Sequence, residues 1–248
     1  MNFRVLSYNM HRAIGIDRRF RPERITRILL HHQADLVLLQ EVDVGVPRSK
    51  MLNLAEEMAR TADYPHYAVG LNVSLRTGHY GNATLSRHPI IKSRNIDLTI
   101  GTRKRRGCLY TAVAIDDGPN PGRQIEAFNL HLGLSMQERV RQVGALIHAP
   151  EFSGLDINHP CLVAGDFNDW VTLLAPIFSD ILEFECATNH SGGYHKAYHT
   201  FPSPSPAGGL DKIFFRGPLQ LVQRRRCWMR LTRIASDHLP VIADFKLW

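Results

Sequence analysis

Between Arg4 and Phe245 the chain offers a succession of short apolar runs, several of which close on a carboxylate, a carboxamide or an imidazole. Asn9 ends the run that begins at Arg4, and Glu41 follows Leu36-Val37-Leu38-Leu39-Gln40. His131 follows Ala127-Phe128-Asn129-Leu130, Asp166 and Asn168 follow Leu162-Val163-Ala164-Gly165, and Asp237-His238 precede the last run. Any one of these is also a fitting turn residue or helix cap. Taken together they constrain the fold, because strand ends in a sheet converge on a common edge and would gather these groups into one polar site.

The runs themselves are short enough for strands. Leu36–Leu39 is unbroken by polar residues, the mark of a strand covered on both faces. Pro22 opens a helix at its first turn, with Ile25, Ile28 and Leu29 at helical spacing. A second helix is expected over Leu52–Arg60, and Ser135 with Glu138 forms a capping box that starts a third, reaching Ile147. Strands are expected at Tyr67–Gly70, Gly81–Ser86, Ile91–Leu98, Leu109–Ile115 and Gln124–Leu130, the last two joined by a turn at Asp117–Gly122. A strand at Cys161–Ala164, a helix near Val171–Ser179 and strands at Lys212–Phe215, Leu219–Cys227 and Val241–Phe245 complete the reading. Pro202, Pro204, Pro206 and Gly208-Gly209 mark a loop, not a boundary. Strands and helices mixed throughout imply a single α/β domain over residues 1–248 with substantial antiparallel sheet.

Composition narrows the partners. The formal charge is +7, with basic runs at Arg103–Arg106 and Arg224–Arg226. This favours an anionic partner (nucleic acid, a phospholipid head group or a phosphorylated metabolite), and each run is also readable as a solvated loop. Cys108, Cys161, Cys186 and Cys227 lack zinc-type spacing, and Cys108 and Cys161 lie in apolar runs that suit buried thiols. With no signal-like start and no apolar run long enough for a bilayer, the expectation is a cytoplasmic protein without a transmembrane segment or an obligate protein partner.

The chemistry of the gathered residues is coherent. Oxygen ligands from Glu, Asp and Asn suit Mg²⁺, which binds through one or two carboxylates and retains water; zinc would call for more His or Cys. Histidines beside a phosphate donate to its oxygens as charge builds. An aspartate paired with a histidine fixes the tautomer and favours the imidazolium.

Seven motifs then occur in order: Ser7-Tyr8-Asn9, Leu39-Gln40-Glu41-Val42, Gly81 to Arg87, Asn129-Leu130-His131, Gly165-Asp166-Phe167-Asn168, Leu210-Asp211-Lys212-Ile213 and Ser236-Asp237-His238-Leu239-Pro240. From Arg4 to Phe245 the series resembles the endonuclease/exonuclease/phosphatase (DNase I-like) superfamily, in particular a branch of short stand-alone bacterial proteins. The resemblance implies two mixed β-sheets packed as a sandwich flanked by helices, a four-layer arrangement. It implies a Mg²⁺-dependent hydrolysis of phosphate esters by activated water, with Mn²⁺ as a possible substitute. Glu41 would be the main metal ligand, with Asn9 and Asp237. Asp166 would orient or deprotonate the water, and Asn168 would hold the phosphate or the nucleophile. Asp211 would polarise His238 against the phosphate, His131 would face it as well, Arg106 would bind it in bidentate fashion, and Asn82 would contact substrate or serve a structural bond.

Other polar residues carry plainer expectations. His11, Arg12 and Arg48 fit a site rim or an exposed surface; His79 and Tyr80 fit a border. Asp43 reads as a turn residue, His31-His32 as helix-capping residues, and His190, His195 and His199 as no second metal site. For substrate, a nuclease or DNA-repair phosphodiesterase comes first, supported by the arginine runs and Trp170. A hydrolase of phospholipid or small phosphorylated head groups is the alternative, and a non-catalytic binding module the third reading, which the intact polar set opposes.

Overall fold

The computed structural model describes residues 1–115, 122–189 and 196–248. Its strands are β1 (Asn2–Asn9), β2 (Leu36–Val44), β3 (His66–Ser74), β4 (His79–Ser86), β5 (Ile90–Asp97), β6 (Gly107–Ile115), β7 (Arg123–His131), β8 (Cys161–Asp166), β9 (Glu185–Cys186), β10 (Asp211–Arg216), β11 (Leu219–Arg226) and β12 (Val241–Leu247). They form two six-stranded mixed sheets, ordered β11-β12-β1-β2-β4-β3 and β5-β6-β7-β8-β10-β9. In each sheet one parallel pair, β1 with β2 and β7 with β8, sits among antiparallel neighbours.

Burial follows the two-residue period of a strand. Phe3 and Val5 of β1 and Leu36 and Leu38 of β2 face Ile125, Ala127, Leu162, Ala164, Ile213 and Phe215 of the other sheet. The alternate residues Leu6, Tyr8, Val37 and Leu39 pack outward against α1 (Pro22–His32) and α2 (Leu54–Thr61). The far face of the second sheet is covered by α3 (Met136–His148), α4 (Pro150–Ser153) and an aromatic cluster of Phe128, Phe152, Phe167, Phe178, Phe184 and Phe214. The result is helix, sheet, sheet, helix, as the resemblance implied. Being covered on both faces explains why the strands read as unbroken apolar runs. A short α5 (Thr232–Ala235) leads into the Ser236–Pro240 segment.

Following the inward-facing positions along each strand locates the site. On β1 they run Phe3, Val5, Ser7, Asn9; on β2 Leu36, Leu38, Gln40; on β7 Ile125, Ala127, Asn129, His131; on β8 Leu162, Ala164, Asp166. The inter-sheet core thus changes from apolar to polar toward one end of the sandwich. In the transition zone Asn129 donates to Leu39 O (3.0 Å) and Ala83 O (2.9 Å) and accepts from Gln40 Nε2 (2.8 Å), all fully buried. These bonds join the sheets where apolar packing ends, and an unmade bond there would be costly.

Two local expectations are corrected. The helix near Val171–Ser179 is instead a series of turns closing in one π-helical turn, Ile177–Ile181. Thr172 has φ +56°, the Leu173 and Leu174 amides bond to the Asp169 carboxylate, and Pro176 has no N–H to offer a helix. Arg224–Arg226 belongs to strand β11, in keeping with the strand expected at Leu219–Cys227. Asp43 is not in a turn: it lies buried in β2 and takes a two-pronged ion pair from Arg48 at 2.8 and 2.7 Å. The turn expected at Asp117–Gly122 falls largely outside the described residues, but β6 and β7 are antiparallel as a hairpin requires.

Candidate active site

Strand register brings the site together. His131 pairs with Asp166 across β7 and β8, and Asp166 with Asp211 across β8 and β10, so three inward-facing polar residues stand in a row. Asn9, from the opposite sheet, donates its Nδ2 to Asp166 Oδ2 at 3.0 Å and closes the gap between the sheets. Gly165 makes the close pairing of β8 with Leu130 of β7 possible. Its φ is +142°, and a Cβ there would lie 1.9 Å from Leu130 O.

The centre is a chain of buried polar contacts. Asp211 Oδ2 lies 2.9 Å from His238 Nδ1 and also accepts from the Thr200 hydroxyl. His238 Nε2 is 3.7 Å from Asp166 Oδ2, and His131 Nε2 is 3.5 Å from the same oxygen. The other Asp166 oxygen accepts from the Asn168 amide at 2.9 Å. Ser236 supports the assembly, donating to Asn9 O at 2.7 Å and accepting from His238 N at 3.1 Å.

The two histidines beside Asp166 differ in charge. Burial disfavours the His238 imidazolium, but Asp211 and Asp166 outweigh it and raise its pKa to about 10. Burial, reinforced by Arg106 and by His238 itself, pushes His131 well below its ordinary range. At neutral pH His238 is a cation and His131 a neutral ring, so the His131–Asp166 contact is a polar contact and not an ion pair, despite its length being suited to either. Burial also pushes the Asp166 carboxyl upward, partly offset by the His238 cation. Environments that split like groups in this way are typical of acid–base sites.

Glu41 departs from the expected strand end. It lies within β2, at a break in the pairing with β4 between Leu39 and Val42, and has φ +59°. The bulge turns the carboxylate out of the ladder. Its buried Oε2 has no hydrogen-bond partner, with Arg12 Nε nearest in charge at 3.4 Å. Tyr80 faces the same carboxylate, and burial together with that charge raises its pKa. His11, Arg12 and Ala13 all have positive φ, a run of strained residues beside the site.

Of the remaining candidates, Arg106 is buried, with an Nε that has no hydrogen-bond partner. Asp237 is one-third exposed and lies 3.8 Å from His11 Nδ1. Asn168 spends one N–H of its amide on Leu132 O at 2.9 Å. Asn82 donates to Gly107 O (3.2 Å) and Asn129 O (3.0 Å), which makes its nitrogen a tie between the sheets. The Arg48 guanidinium is held by Asp43, and His79 and His199 are exposed. His190 and His195 lie outside the described residues. His32 is buried with its Nε2 3.1 Å from Cys227 Sγ, so it serves α1 by packing rather than by capping.

Sequence reading missed several supporting groups. Thr200 holds Asp211, the Phe201 ring lies tilted 5.0 Å from the His238 ring, and Gln40 and Asn129 build the floor. Asp169 and Lys212 form a fully buried pair behind the Asp166–Asn168 segment, with Nζ 3.6 Å from Asp169 Oδ2. The available signal was a lysine directly before the apolar Ile213-Phe214-Phe215 of β10.

Residues 6–238 match the model of the Endonuclease/Exonuclease/phosphatase family. The chain belongs to this family. Its members are phosphoester hydrolases. The chain is 31% identical over 259 aligned residues to the uncharacterized protein YbhP of Escherichia coli (strain K12), covering 99% of this chain and 97% of that one. Among solved structures it is similar to an endonuclease/exonuclease/phosphatase from Beutenbergia cavernae, with TM-score 0.77, 22% identity and 99% and 72% of the two chains covered. It is similar also to the human Nocturnin catalytic domain with bound sulfate, with TM-score 0.77, 20% identity and 100% and 94% coverage. These likenesses show the fold of two packed mixed sheets flanked by helices.

Proposed function

We propose that residues 1–248 act as one endonuclease/exonuclease/phosphatase domain that hydrolyses phosphate diesters by in-line attack of water. The observation that carries this reading is the charge-split pair of histidines on either side of Asp166, with His238 held by Asp211 at 2.9 Å.

In this reading the His238 cation donates from Nε2 to a non-bridging phosphate oxygen as charge accumulates, while Asp211, itself held by Thr200, keeps the proton on Nδ1. Asp166, whose raised pKa makes it a better proton acceptor than an ordinary aspartate, orients or deprotonates the attacking water. Asn168 positions that water or the phosphate, neutral His131 offers a further contact, and Arg106 and Asn82 complete the phosphate-binding wall.

The donor set suits a hard cation. Glu41 offers a buried oxygen with no hydrogen-bond partner, and Asn9 and Asp237 supply further oxygens. The oxygen-only character of these three side chains suits Mg²⁺, which keeps several waters, more than zinc. Bound Mg²⁺, with Mn²⁺ as a substitute, would polarise the phosphate and offset its developing charge.

Both nucleic acid and phospholipid present such an ester to a basic surface; nucleic acid is the first class to assay and phospholipid head groups the second. A cytoplasmic setting accompanies this reading, supported by four free cysteines; no helix among the described residues is long and apolar enough to cross a membrane.

The test is hydrolysis across one panel of single-stranded, double-stranded and abasic DNA, RNA, sphingomyelin, cardiolipin and inositol phosphates, with and without Mg²⁺. Wild type should cleave one class in a Mg²⁺-dependent way. Glu41→Ala should weaken the Mg²⁺ response, and His238→Ala should lower turnover by about 10²–10³. A fully active, folded His238→Ala protein would overturn the assignment.

A further inference from the structure

One flank of the site is apolar and exposed. Leu134, Met136 and Val140 stand at the start of α3, and Trp170, Val171 and Leu173 follow β8; Leu134 is 76% and Val171 67% exposed. Arg139 ties the two segments together, donating to Leu134 O at 2.7 Å and lying 3.8 Å from Asp169. Asn168 adds its bond to Leu132 O. The flank reaches the reacting centre through rings, because Trp170 packs edge-on against Phe201 at 5.7 Å and Phe201 faces His238.

The same flank is basic. Arg103 donates to Ser135 Oγ at 3.1 Å, which brings the loop carrying exposed Arg103, Lys104 and Arg105 beside Leu134 and Met136. Arg141 is exposed on α3. The carboxylates of these segments, Glu138, Asp166 and Asp169, are all buried. Exposed side chains in residues 99–106, 133–141 and 167–176 are therefore cationic, neutral polar or apolar, and never anionic.

We propose that this flank seats the protein on an anionic lipid bilayer, so that the diester presented to the site is a phospholipid head group. The inference rests on the phosphodiester-hydrolase reading above. Exposed apolar groups framed by cations gain by entering the boundary between head groups and acyl chains, and each cation near an anionic surface adds roughly fivefold to binding. A single-stranded nucleic acid uses the same cations but needs stacking platforms. Here five of the six apolar side chains are aliphatic and offer no ring to a base. Exposed apolar groups on two segments that Arg139 ties together beside a polar site are the arrangement a lipid surface recognises.

The experiment measures co-sedimentation with vesicles of phosphatidylcholine, with and without phosphatidylglycerol, in a Trp228→Phe, Trp248→Phe background where emission reports Trp170. Binding to the anionic vesicles with a blue shift of Trp170 is expected. The double variant Leu134→Glu, Val171→Glu should bind about tenfold less or worse, and Arg105→Ser, Arg141→Ser should lose binding by a similar factor, chiefly at low salt. Both should hydrolyse soluble bis(p-nitrophenyl) phosphate as the background protein does, which also shows that they are folded. A background protein that binds vesicles but leaves the soluble diester intact would sink the hydrolase reading and spare the surface. Three outcomes would overturn the surface: no vesicle binding, equal binding by the Glu variant, or a Trp170 shift elicited by a single-stranded oligonucleotide and not by vesicles. So would a stable dimer that Val171→Glu dissociates.

Discussion

Replacing Asp211 by Asn removes the charge that sustains the His238 cation while keeping the side-chain size. With charge centres about 3.5 Å apart and an effective dielectric near 20, the attraction lost is about 5 kcal/mol, or about 3.5 pKa units. That would bring His238 from about 10 to about 6.5, since burial continues to oppose the cation. The imidazolium fraction would then be about 3% at pH 8 and about three-quarters at pH 6. The ratio of variant to wild-type kcat should therefore be about 3 × 10⁻² or lower at pH 8, and should recover by about tenfold or more toward pH 6. Using the ratio cancels the wild type's own acid limb. NMR titration of the His238 ring in chelator-treated protein checks the shift directly. Stability supplies an independent readout. A histidine with a raised folded pKa stabilises fully below its unfolded value of 6.5, and that stabilisation is lost as pH rises through about 10. Asp211→Asn should remove this alkaline decline, on the order of 3–5 kcal/mol in wild type. A defect of the same size at pH 6 and pH 8, or an unmoved imidazole titration, would refute the role given to Asp211.

Other perturbations test the scaffold. Asn129→Ala should cost roughly 2–4 kcal/mol in urea unfolding, because Leu39 O, Ala83 O and Gln40 Nε2 lose buried partners; a cost under about 0.5 kcal/mol would show that these bonds do not join the sheets. Lys212→Met leaves Asp169 with two backbone amides and the more distant Arg139, so a loss of about 3 kcal/mol is expected in thermal unfolding. An unchanged melting temperature would mean that the buried pair merely breaks even with an apolar replacement. His32 is depressed to about 4, chiefly by burial, so its contribution is intact above about pH 6.5 and is lost as pH falls toward 4. His32→Leu should flatten the stability loss between pH 7 and pH 5 by about 1–2 kcal/mol; parallel curves for variant and wild type would count against this.

Much of the site was legible in the chain because strand alternation is local. A run such as Phe3 to Asn9, or Leu162 to Asp166, shows its apolar start and polar end within a few residues, whatever lies across the sheet. The ordered motifs then named a family, and the two-sheet architecture followed from that resemblance. What the tertiary structure alone decided is how these ends meet. Asn9 and Asp166 are 157 positions apart, Gln40 and Asn129 are 89 apart, and both contacts depend on two sheets packing in one particular register. The bulge that turns Glu41 out of β2 is set by the pairing with β4, and the turns that replaced the helix after Asn168 gather on an Asp169 carboxylate that Lys212 of β10 holds from outside the segment. The different charge states of His131 and His238, two histidines that look alike in sequence, likewise depend on what surrounds them. Periodicity records which side of a strand a residue occupies, whereas charge state and contact are set by whatever the fold brings to that side.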